Sequence, residues 1–62
     1  MATAAATFQA TWRVGRRVQE VAAPHRKGSI TLVLGAGVNA IIIVGLDGSH
    51  PANFRPAQLT LL

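Results

Sequence analysis

The fold turns on Gly28-Ser29-Ile30-Thr31-Leu32-Val33-Leu34-Gly35-Ala36-Gly37-Val38-Asn39-Ala40-Ile41-Ile42-Ile43-Val44-Gly45-Leu46, a stretch without a single charge. Two structures compete for it. A membrane-spanning helix needs about 20 apolar residues, and Arg26 and Lys27 supply the positive flank that orients one. Against this, Gly35, Gly37 and Asn39 cluster at the centre, and the two halves are rich in Ile, Val and Leu. Glycine takes positive φ without steric cost, and β-branched residues suit a pleated surface. The stretch therefore reads as a hairpin. Its first strand sets Ser29, Thr31 and Val33 on one face and Ile30, Leu32 and Leu34 on the other. Gly35-Ala36-Gly37 turns the chain, and Ala40 to Val44 returns as a central strand covered on both sides. A single membrane pass over about 28–46 stands as the rival.

Toward the start, Phe8, Ala10, Trp12 and Val14 alternate with Gln9, Thr11 and Arg13, the period-2 mark of a strand with one buried face. Arg16 to Val21 makes another short strand after Gly15, and Ala22 to Lys27, with Pro24, makes a loop. Toward the end, Asp47-Gly48 is a tight-turn dipeptide. Ala52 to Arg55 is a short strand stopped by Pro56, which cannot donate to a ladder. Pro56 to Gln58 suits one helical turn, and Leu59 to Leu62 closes as a last strand. Short strands separated by Gly and Pro turns predict an all-β small barrel or sandwich. One domain spans 8–62, after a flexible N-terminal segment at 1–7.

Three stretches resemble an SH3-like barrel of the KOW/Tudor-related kind. Val14-Gly15-Arg16-Arg17-Val18 is similar to the "VGxRV" entry to the first core strand. Arg26-Lys27-Gly28-Ser29-Ile30 is similar to the "rxGxI" that begins the second. Asp47-Gly48, Asn53-Phe54-Arg55-Pro56 and Leu59 resemble the "DG…f.p..L" ending. The resemblance covers Val14 to Leu62 and implies a five-stranded SH3-like barrel in which Gly15 and Gly28 are structural. Such barrels host nucleic-acid binders, peptide binders and accessory subunits of larger complexes, so the fold alone does not assign a function. They also host the plasmid-type, trimethoprim-insensitive dihydrofolate reductase, which this chain resembles more weakly. Where that enzyme carries Val-Gln-Ile-Tyr before proline, Ala52-Asn53-Phe54-Arg55 stands here, without the hydrogen-bonding Gln and Tyr. A homo-oligomeric reductase is therefore the third reading.

Composition narrows the chemistry. Glu20 and Asp47 are the only side-chain carboxylates, so a paired general acid and base is hard to build and no catalytic residue is assigned. With no cysteine, and His25 and His50 far apart, neither a metal site nor a cofactor is expected. The absence of cysteine fits a reducing, cytoplasmic setting. A domain this small buries only about 60% of its unfolded surface, yet half its residues are hydrophobic. This predicts a homo-oligomer or a subunit of a larger complex.

Six Lys and Arg against two acids leave a net charge of +4, which favours nucleic acid or an acidic protein surface as partner. In the barrel, Arg26, Lys27 and Arg55 are expected to converge on one rim and grip phosphates, with Arg13, Arg16 and Arg17 as further contacts. Trp12 reads either as a stacking or oligomer contact or as part of the core. The first reading is a small basic binding module; an SH3-like accessory or protein-interaction subunit is the alternative.

Overall fold

A computed structural model describes residues 4–62, with side chains from Phe8 onward. The strands are β1 (Arg17–Glu20), β2 (Lys27–Leu34), β3 (Ile41–Leu46), β4 (Ala52–Phe54) and β5 (Leu59–Leu61). All pair antiparallel in one sheet of order β4-β3-β2-β1-β5. The charge-free stretch is the β2–β3 hairpin. Its turn runs through Gly35 (φ +79°) and Gly37 (φ +76°) into a 3-10 turn at Gly37–Asn39. The membrane-helix reading fails on this geometry. Among the described residues, no helix is long and apolar enough to cross a membrane.

Val18 of β1, Ile30 of β2, Ile42, Val44 and Leu46 of β3, Phe54 of β4 and Leu59 of β5 form one buried cluster. Both edge strands contribute, so the sheet curls around a single core in the manner of a small β-barrel. The sheet does not close: β4 and β5 make no ladder, and the 3-10 turn Pro56–Gln58 lies between them. Burying each large apolar side chain stabilises the fold by about 1.5–3 kcal/mol.

Two expectations need correction. The Phe8–Val14 strand is instead the end of a helix, α1 (Ala4–Thr11), followed by a turn. Of the expected flexible segment, residues 1–3 lie outside the described chain and α1 takes in the rest. Phe8 and Trp12 satisfy a helical i, i+4 spacing as well as an alternation, and alanine, the best helix former, fills this region. The Trp12 amide donates to the Phe8 carbonyl at 2.8 Å, and their ring centroids lie 6.3 Å apart against the core.

The second correction concerns β2. Ile30 pairs Val44 but Leu32 pairs Ile43, so Thr31 is the extra residue of a β-bulge. Its hydroxyl donates to the Ile43 carbonyl at 3.1 Å. The bulge reverses the alternation beyond it. Val33 turns toward the core beside Ile42, while Leu32 and Leu34 stay 46% and 50% exposed.

Gly28 has no room for a side chain, since a Cβ there would sit inside contact distance of the Gly45 carbonyl oxygen and the Val44 side chain. Gly15 is held at φ +91°, a conformation other residues rarely adopt.

Candidate anion-binding surface

The six basic side chains fall into three groups. Two meet the carboxylates. Arg17, on the outer side of β1, donates from Nη1 to Asp47 Oδ1 at 3.0 Å and to Ser29 Oγ at 3.2 Å, and from Nη2 to Asp47 Oδ2. These hydrogen bonds hold the Asp47 carboxyl below the ordinary carboxylate range and raise the Arg17 guanidinium above its own. Arg26 Nη1 lies 3.0 Å from Glu20 Oε2, whose side chain is only 16% exposed. That oxygen has no aligned hydrogen bond, so the pair is a charge contact and not a directed one.

Two more cations lean on neutral acceptors. Lys27 Nζ donates to the Pro24 carbonyl at 2.8 Å, and Arg55 Nη1 to the Asn39 carbonyl at 2.9 Å. Arg55 is fixed further by its amide, which donates to Gln58 Oε1 at 2.8 Å, while the Gln58 amide donates to the Arg55 carbonyl. The rim expected of Arg26, Lys27 and Arg55 is thus not assembled by contact; each has its own local partner. The local reason is register: Arg26 lies across from Glu20, whose amide donates to the Arg26 carbonyl at 3.0 Å.

Arg13 and Arg16 form the last group. Among the described residues neither side chain has an ion pair or a hydrogen bond. They bracket a turn closed by the Arg16 amide on the Arg13 carbonyl at 3.0 Å. The turn is stitched to β2 twice, by the Gly15 amide on the Ile30 carbonyl and the Ile30 amide on the Arg16 carbonyl. This continues the β1–β2 register, placing Arg16 opposite buried Ile30 and on the same side of the strand as Val18. Arg16 Nε is buried there without an acceptor.

Sequence reading groups Arg26, Lys27 and Arg55 on one rim, with Arg13, Arg16 and Arg17 as further contacts, and does not separate the arginines that meet a carboxylate from those that do not. The signal that separates them is parity: Arg16, Val18 and Glu20 share the inner side of β1, while Arg17 and Gln19 point away. Of the rings, Phe54 is buried, and Phe8 and Trp12 are partly buried against the core. Among the described residues the surface holds no cavity and no group of metal ligands. No protein-family model, curated protein or solved structure matches the chain.

Proposed function

We propose that this chain is a small, cytoplasmic binding module of the SH3-like barrel kind that engages nucleic acid through backbone phosphates. The strand order and the 3-10 turn between β4 and β5 support the SH3-like assignment. The observation that carries the function is the charge distribution. Arg13, Arg16, Lys27 and Arg55 have no carboxylate partner, since both acids are engaged by Arg17 and Arg26. Surface cations of this kind neutralise phosphates without reading bases.

Titrating a fluorescent DNA duplex with the full chain at rising salt tests this. Affinity is expected to fall linearly on log–log axes, with a slope of up to about −3.6 if all four cations meet phosphate. No binding at low salt overturns the proposal.

A second reading rests on a separate observation. Leu32, Leu34 and the 82%-exposed Val38 give the β2–β3 hairpin an apolar outer surface, as a homo-oligomer or accessory subunit requires. The two readings part on salt, because apolar contact survives the screening that weakens a phosphate grip.

A further inference from the structure

We infer that, among the four cations without a carboxylate, the Arg13–Arg16 turn is the phosphate grip and Lys27 and Arg55 are bystanders. The inference rests on the nucleic-acid reading and gives it an address. An arginine buried at one nitrogen has lost part of its hydration, and a charge without water or counter-ion is attracted more strongly to an incoming anion. Arg16 is partly in that state: its Nε is buried without an acceptor, and both side-chain carboxylates, Glu20 and Asp47, are engaged by other arginines.

The backbone beneath it is already fixed. Gly15 supplies the positive φ, and backbone hydrogen bonds to the Ile30 carbonyl and from the Ile30 amide tie the turn to β2. Little chain entropy is then lost when an anion docks, which favours binding. The two arginines stand at the first and last positions of one turn, so their Cα atoms are within about 7 Å. The planar, multi-donor guanidinium suits phosphate oxygens. Lys27 and Arg55 differ in being engaged already. Their donors already hold the carbonyls of Pro24 and Asn39 and would have to leave them to reach a phosphate.

Two double variants that remove equal charge test the assignment. The full chain carrying R13Q and R16Q is compared with one carrying K27Q and R55Q on the same labelled duplex across salt, after circular dichroism confirms that each folds. R13Q/R16Q is expected to flatten the log–log slope by about 1.8, two phosphate contacts' worth, and to weaken low-salt binding at least tenfold. K27Q/R55Q is expected to leave the slope within a few tenths. The inference is overturned if K27Q/R55Q flattens the slope as much or more. If the parent does not bind at low salt, the nucleic-acid reading itself falls and takes the inference with it.

Discussion

The two ends of β1 place a charged residue on the same inner side of the same strand and treat it in opposite ways. At one end Glu20, mostly covered, faces Arg26 across the β1–β2 register and has a counter-charge 3.0 Å away. At the other end Arg16 faces Ile30, and its Nε is buried with nothing to bond. The chain has one more acid, Asp47, and holds it on the outer side against Arg17. Burying a charge without a partner costs stability, so the covered end of β1 that lacks one is where an external anion adds most.

The largest effect is expected between the two ends. Val18 pairs with Gly28, and a Cβ on Gly28 would collide with the Gly45 carbonyl oxygen. Backbone meets backbone there, so β2 and β3 must separate. Gly28→Ala should cost about 3 kcal/mol, the upper part of the range for overpacked cores. That is much of the roughly 3–9 kcal/mol available to a chain of this length. A urea melt reads it as a collapse of the midpoint that takes both ends of β1 with it. An unchanged midpoint would mean that the hairpin is not packed as described.

A smaller effect with opposite signs sharpens the comparison directly. Arg16→Met keeps the apolar stem and removes the partly buried, unpaired charge, so stability should hold or rise by up to about 1 kcal/mol. Glu20→Met strips Arg26 of its partner and should lower stability by less than about 1 kcal/mol, since Arg26 stays half in water. Equal losses at both ends, measured by thermal unfolding, would erase the distinction.

The smallest effect belongs to the exposed pair on the outer side of the strand. Because Arg17 lowers the folded-state pKa of Asp47, the pair stabilises the fold above the carboxylate's unfolded pKa. That contribution disappears as pH falls through the depressed folded value. Parent and Asp47→Asn should therefore differ slightly in melting temperature at pH 7 and converge at low pH. A gap that widens on acidification would reverse the sign.

Most of the sheet was legible from local chemistry. Gly35 and Gly37 marked the hairpin turn, Asp47-Gly48 the next one, and Pro56 the end of β4, because each residue restricts the backbone by itself. The helix at Phe8 was not legible, since Phe8 and Trp12 fit both periods and only packing against the core decides between them. Nor was the fate of the arginines. Which cation meets Glu20 or Asp47 depends on register between strands distant in sequence, and register is a property of the assembled sheet. The same holds for Leu32 and Leu34, expected on one face with Ile30 because nothing in the local sequence announces the bulge at Thr31.

That bulge makes Thr31 the one residue between Gly28 and Leu34 without a register partner on β3. Substitution at Thr31 alters one side chain, but deletion of the residue would bring β2 back into even register with β3 beyond it. Leu32 and Leu34 would stay on the outer side and Val33 on the core side, because the pairs Leu32–Ile43, Val33–Ile42 and Leu34–Ile41 are the ones an even register calls for. A single-codon deletion, ordinarily among the most disruptive events a small sheet can suffer, is at this one position a change that leaves both faces of the hairpin as they are.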